Sequence, residues 1–393
     1  MRKNSVIRGV QALFVVLLLA LLAACGGRDA IKNGTSDIAA AGAPTTFDLT
    51  VAADADGQFE YQGATLTRED ARTLLQSILA GDLTEIHLAA ILTALATRGE
   101  APSEIAGFVD VMRVAATPVP LDRAERALLV DTCGTGADLS GTFNVSTAAA
   151  LVAAAAGATV AKHGNRAVTS QCGSADVLEA LGIPVALAPA EGAASLRQHR
   201  FAFFHAPSLH PAMKIVMPVR RALGIRTIFH LVGPLSNPAG ASAQVMGVYS
   251  AHLVPIVAEA MALLGTRHAF VVHGHNDSVT TGMDEISISG PTQIAEVQNG
   301  KVTLSTITPA DAGLPRASTS ALMGGDAHTN AAILTAIFAG EPGPRRDIVL
   351  LNAAAVLVAS DLTPTLTAGV ALAAKTIDSG AVTKLVASLA RSI

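Results

Sequence analysis

Between Asp131 and Asp176 the chain runs twice through the same pattern: a short apolar run, a polar glycine-containing loop and a helix-forming stretch. No other part limits the fold as narrowly. Ala127 to Val130 feeds the turn Gly134-Thr135-Gly136-Ala137-Asp138, and Asn144-Val145-Ser146-Thr147 opens a long alanine- and valine-rich helix. Ala158 to Ala161 then enters Lys162-His163-Gly164-Asn165-Arg166, and the loop Ser170 to Ser174 leads to a helix starting near Asp176. Strands that end in such loops before a helix are how α/β proteins build anion sites. Glycine lets the backbone approach a phosphate, and first-turn amides at the positive end of the helix face it. Lys162 and Arg166 add charge that neutral donors lack. One such loop is an ordinary turn. Two in succession, with the Lys-His-Gly-Asn-Arg cluster, indicate a polyphosphate site.

The 393 residues suffice for two domains, and 50% hydrophobic against 15% charged residues allows a large apolar core. A net charge of −4, no Trp and only two Tyr argue against a nucleic-acid binder, which would show a basic face and stacking aromatics. The three cysteines, Cys25, Cys133 and Cys172, have neither zinc-ligand spacing nor a disulfide framework.

Residues 1 to 25 combine basic residues, an apolar run of signal-peptide length and Leu22-Ala23-Ala24-Cys25, which resembles a bacterial lipobox. Alone, this predicts a lipid-anchored protein outside the cytoplasm. From residue 26 to 63 the chain reads as a disordered linker with a short strand near Phe47 to Val51.

Thr67-Arg68-Glu69-Asp70 has the form of a helix cap, with an amphipathic pattern from Ala71 to Ala80 behind it. Further helices are predicted from Leu83 to Thr97 and from Pro102 to about Ala116. The expected fold is therefore α/β: a small N-terminal all-helical domain (64–122, with further helices from about 190–225), then a larger domain (123–393) with a central, mostly parallel sheet. His210 to Lys214 and Pro218 to Arg221 read as helix, Gly233 to Pro238 as a rigid turn, and His268 to Val272 as a buried strand. A loop from its end reaches Asp284-Glu285. Adjacent carboxylates facing a polyphosphate site suit magnesium, which takes hard oxygen ligands together with substrate phosphates and water.

The order of these motifs resembles the anthranilate phosphoribosyltransferase family from about Leu66 to the C-terminus. That family carries a GTGGD turn, an N-x-S-T helix start, KHGNR, a Ser-rich segment ending in GSAD, HPAM with PVRR, GPLxNP, and a DE pair before IS. All occur here in recognisable form. The resemblance implies transfer of phosphoribose from phosphoribosyl pyrophosphate to the amine of anthranilate, an early step of tryptophan synthesis. It assigns phosphoribosyl pyrophosphate to Gly134, Ala137, Asp138, Thr142, Asn144, Val145, Ser146, Thr147, Lys162, His163, Gly164, Asn165, Arg166, Ala167, Val168, Thr169, Ser170 and Ser174. It places anthranilate against Gly134, Asn165 and Arg220, and two magnesium ions on Ser146, Asp284 and Glu285, with Lys162, Asn165 and Arg220 carrying the catalysis. It also implies a homodimer built on the N-terminal helices and a glutamine amidotransferase (anthranilate synthase) partner.

The sequence departs from the family pattern in places. Ala137 replaces the second glycine of GTGGD, His230 stands where Asn is common and Cys172 where Ser is common. The loop from His275 to Thr281 is also long, which predicts a mobile arm for the acid pair. Alternatives from other classes are a pyrimidine nucleoside phosphorylase and an exported or nucleic-acid-binding non-catalytic relative. The implied substrate is cytoplasmic, so the lipobox-like start conflicts with the core. Either the start is misassigned or fused, or the fold has been exported.

Overall fold

Thr67 caps the first helix as expected, its hydroxyl accepting the Asp70 amide at 3.2 Å. Behind it Ala71, Leu74, Leu75 and Ile78 form one buried stripe along Arg68–Ala80. The computed structural model describes residues 49–53, 59–136, 138, 140–167, 171–277 and 282–391. The lipobox-like segment 1–25, most of the expected linker, and Ala137, Val168, Thr169 and Ser170 lie outside the described residues. Within the stretch read as a linker, β1 (Leu49–Ala53) pairs antiparallel with β2 (Phe59–Gly63), from Leu49↔Gly63 to Ala53↔Phe59. The strand expected near Phe47–Val51 thus has a partner, and this pair belongs to a unit separate from residues 65–393.

In the larger unit, helices Arg68–Ala80, Glu85–Arg98 and Pro102–Ala115 form the helical layer. The last is buried along most of its length, and Gly107 brings it against the first at backbone distance. The additional helices expected at about 190–225 divide between the layers. Met217–Leu223 packs on Glu85–Arg98, whereas Pro189–His199 packs on the sheet. His210 to Arg221 is also not one helix: Pro211–Ile215 is a 3-10 turn, and Met217–Leu223 restarts with proline in its first turn. The expected rigid turn at Gly233-Pro234 instead closes the helix Phe229–Leu235. Pro234 sits in the last turn, and the Ser236 hydroxyl donates to the Val232 carbonyl at 2.7 Å.

The sheet strands are β3 (Leu129–Gly134), β4 (Thr159–Gly164), β5 (Phe201–His205), β6 (Ala243–Gly247), β7 (His268–His275), β8 (Gly282–Met283), β9 (Thr292–Gln298) and β10 (Lys301–Ile307). Their order is β10-β9-β7-β6-β3-β4-β5, with β8 on the end of β7. β3 to β7 are parallel; β9 and β10 add an antiparallel edge. Parallel strands covered on both faces are continuously apolar, and every residue of β6 is buried. The alanine-rich helices Val145–Ala155 and Pro344–Ala359 pack together over this sheet in the main core.

The chain lays β4 and β5 on one side of β3, then returns to lay β6 and β7 on the other. The order reverses between β3 and β6. In an open α/β sheet the ligand crevice lies beyond the carboxyl ends of the strands at that reversal. Here those ends are Gly134 and Gly247.

Candidate active site

Asp284 occupies this crevice. Its Oδ2 accepts the Gly136 amide at 2.8 Å, and its own amide donates to Asp138 Oδ2 at 3.2 Å. Gly136 has φ +64, a left-handed turn that suits glycine. A Cβ on Gly247 would lie 1.6 Å from the Asp284 carbonyl oxygen, so only glycine at the end of β6 lets the acid loop in. Glu285 turns the other way: its Oε1 accepts the Ser146 amide at 3.1 Å, at the first turn of Val145–Ala155. On the far side, Asn352 accepts the Ile286 amide and donates to the Ile286 carbonyl, both at 2.9 Å. The acid pair is pinned before and after. Residues 278–281 of the loop expected to act as a mobile arm lie outside the described residues.

Lys162 lies between the two phosphate-type loops with only 1% of its surface exposed. Its Nζ donates to the Thr132 carbonyl at 2.6 Å and to Ser146 Oγ at 3.4 Å. Burial pushes its pKa down, while Asp131, Glu285 and Asp284 oppose that push. Burial and the Asp138 charge hold Asp284 up to about 8, and burial with Asp284 holds Glu285 well above the carboxylate range. Buried acids crowded in this way favour a cation between them. Among the described residues no three His, Cys, Asp or Glu groups are placed to hold a metal alone. The two adjacent carboxylates and the Ser146 hydroxyl are hard oxygen donors, of the kind magnesium takes together with phosphates and water. The residues present fit the metal.

The remaining expected residues divide. Asn144 holds the second loop to the rest of the site, donating to the Cys172 carbonyl at 3.1 Å and accepting from Asn330 Nδ2 at 2.9 Å. Thr142 Oγ1 lies 3.2 Å from Ser140 Oγ at the mouth of the first loop. Ser174 Oγ donates to the Asn165 carbonyl at 3.2 Å, and the Ala167 amide donates to Asp176 at 2.9 Å, which closes the second loop on its helix. Gly164 lies under Ser174, with Ser174 Oγ 2.3 Å from where a Cβ would stand. Asn165 is exposed at the loop tip, its Oδ1 accepting the Arg166 amide at 2.7 Å.

Four of the residues assigned to phosphoribosyl pyrophosphate have side chains engaged elsewhere. Val145 and Thr147 face the apolar core, because a helix that opens the site must bury its other face. His163 is also buried, its ring 5.1 Å from that of His210, away from the loop surface. Arg166 is held by the next helix, to Glu179 through two 2.6 Å bonds and to Asp176 at 3.2 Å. These acids lie one helical turn apart and compete with any phosphate for its charge.

Arg220 shows the opposite situation. It is largely buried, lies 5.5 Å above the Phe229 ring, and has a buried Nε without a hydrogen-bond partner. Its Nη1 has Met217 Sδ at 3.8 Å, and burial lowers its pKa. A buried guanidinium with no carboxylate beside it is costly, and an anionic ligand relieves the cost. Sequence reasoning missed Asp131, Asn237, Gly247 and Asn352 as parts of the site. Asn237 falls inside the GPLSNP motif, but nothing local signals its partner.

Residues 126–383 match a glycosyl transferase family α/β domain and residues 61–116 the helical bundle domain of that family. An anthranilate phosphoribosyltransferase of Solibacter usitatus is 49% identical over 83% of this chain and 94% of its own. The crystal structure of anthranilate phosphoribosyltransferase from Thermus thermophilus has a TM-score of 0.78 at 42% identity, covering 84% of this chain and 96% of its own. The Saccharomyces cerevisiae enzyme, solved in complex with PRPP and Mg, has a TM-score of 0.72 at 28% identity, over 83% and 93% of the two chains. Another structure of that yeast enzyme is in complex with 4-fluoroanthranilate.

Proposed function

Since the chain belongs to the anthranilate phosphoribosyltransferase family, we propose that the crevice beyond β3, β4 and β6 is where its reaction takes place. The enzyme transfers phosphoribose from phosphoribosyl pyrophosphate to anthranilate and uses magnesium. The carbon–oxygen bond between ribose C1 and pyrophosphate breaks, a bond from C1 to the arylamine nitrogen forms, and the amine gives up one proton. An arylamine is neutral at pH 7, so no strong base is required. What must be stabilised is the departing pyrophosphate.

Ser146, Asp284 and Glu285 would hold two magnesium ions, which supply positive charge to the pyrophosphate when bound. Lys162 has one ammonium donor left after Thr132 and Ser146, which the leaving group would take. The loop amides add oriented dipoles that need no rearrangement during the reaction. Arg220 would bond the anthranilate carboxylate, with Asn165 and the Gly134 backbone orienting the ring. Its buried Nε, without a hydrogen-bond partner among the described residues, is the observation that supports this most directly.

A homodimer through the N-terminal helices rests on the family resemblance. A substrate made in the cytoplasm supports a cytoplasmic location, and the family resemblance an amidotransferase partner. Among the described residues no helix is long and apolar enough to cross a membrane.

The test follows the loss of anthranilate fluorescence in the full chain with phosphoribosyl pyrophosphate and magnesium, beside Asp284→Ala. Magnesium-dependent loss, absent in the variant, is expected. A folded wild-type protein that leaves the fluorescence unchanged would overturn the reading.

A further inference from the structure

The parallel ladder between β3 and β4 is short. Leu129 pairs with Thr159 and Val130 with Val160, and there the pairing stops, although the strands run on to Gly134 and Gly164. Two side chains bond main-chain groups of β4 in the unpaired part. The His163 amide donates to Asp131 Oδ1 at 3.1 Å, and Asn237 Nδ2 donates to the Ala161 carbonyl at 2.7 Å. The two side chains are also joined, Asn237 Nδ2 to Asp131 Oδ2 at 2.8 Å. The Ala239 amide donates to Asn237 Oδ1 at 2.9 Å and so fixes which way the side-chain amide faces. All of this is buried.

Ala161 and His163 flank Lys162. One is held by its carbonyl, the other by its amide, so the backbone of Lys162 is fixed on both sides. Its side chain reaches the Thr132 carbonyl and Ser146 Oγ, and the Asp131 charge favours its ammonium form. We propose that Asp131 and Asn237 are positioning residues, a side-chain wedge that splits the β3–β4 ladder and aims Lys162 at the pyrophosphate of the substrate. The inference rests on the activity proposed above. It assigns a role to two side chains that take no direct part in binding.

A double-mutant cycle in the full chain tests it, reading the affinity for phosphoribosyl pyrophosphate with magnesium by calorimetry. Asn237→Ala alone is expected to weaken binding roughly tenfold, as coupled neighbours do. In a Lys162→Met background the same change should add almost nothing, because the group it aims is gone. Equal losses in both backgrounds would overturn the wedge, since a merely structural pair acts regardless of the lysine. Should Asn237→Ala fail to fold, Asp131→Asn runs the same cycle, placing an isosteric amide against the Asn237 donor. A folded wild-type protein that binds no phosphoribosyl pyrophosphate would overturn the activity reading. Wild-type binding with additive losses would overturn the wedge alone.

Discussion

At Gly134 the chain has no room for a side chain: a Cβ there would stand 2.2 Å from Asp284 Oδ2. Gly134→Ala must therefore turn the Asp284 carboxylate away while leaving the strand behind it intact. A displacement of about 1 Å costs on the order of 100-fold, so kcat/KM should fall by about that factor with little change in Tm. A second residue-scale effect concerns acid stability. Burial foremost, with the His210 and Lys162 charges behind it, holds His163 down to about 3, and burial holds His210 to about 4, against an ordinary 6.5. The unfolded chain takes up protons that the folded chain refuses, so this stability is complete above pH 6.5 and is lost as pH falls. Asp131, pushed up to about 6 by burial, works in the opposite direction below that pH, and so do Asp284, held up to about 8, and Glu285. The histidine share is therefore read against a variant that lacks it. His210→Phe keeps the ring and loses the titration, and should gain roughly 1–2 kcal/mol on the wild type between pH 7 and pH 5, measured as paired urea midpoints. The loop residues that carry these motifs could be read from the sequence because glycine, hydroxyl and charge cluster locally. Asp131 and Asn237 could not, since each looks unremarkable until β3 and the segment after the Phe229–Leu235 helix are brought together.

Among the elements, the helical layer depends on how closely Arg68–Ala80 and Pro102–Ala115 approach. A Cβ on Gly107 would lie 2.4 Å from the Arg68 carbonyl oxygen and 2.7 Å from the Ala71 Cβ. Backbone cannot step aside as a side chain can. Gly107→Ala should lower stability by about 1–3 kcal/mol despite alanine's better helix propensity, measured as a urea midpoint at unchanged slope. The helices themselves were legible from caps and apolar stripes, as Thr67 and the Ala71 to Ile78 pattern show. Where helix was expected through His210 to Arg221, prolines at 211 and 218 divide it. Only the first strand of the β1–β2 pair was expected, because a Gly-, Thr- and Asp-rich stretch carries no sustained alternation. Which way an arginine faces is likewise a tertiary matter. Arg166 and Arg220 both sit in matching motifs, yet one is tied to Glu179 and the other has no carboxylate partner among the described residues.

On the scale of the whole molecule, strand order places two glycine-ended strands side by side, and everything in the crevice is registered against them. The acid pair reaches it from a loop whose ends are separately fastened. Before residues 278–281, Asp277 exchanges bonds with Thr319, its amide donating to the hydroxyl at 3.1 Å and its carboxylate accepting the Thr319 amide at 2.7 Å. After them, the Gly282 carbonyl accepts from Asn276 Nδ2 at 3.3 Å, and β8 pairs with the end of β7. Inserting three glycine or serine residues between Ser278 and Thr281 should consequently leave kcat/KM within about twofold, because loop closure changes slowly with length. A loss of tenfold or more would show that the loop's own span sets the position of the acids. With both moorings intact, length here is free to drift. This hairpin is then a place where lineages of the enzyme can gain or shed residues, or where a foreign peptide can be grafted, with the chemistry at its base unaware of the change.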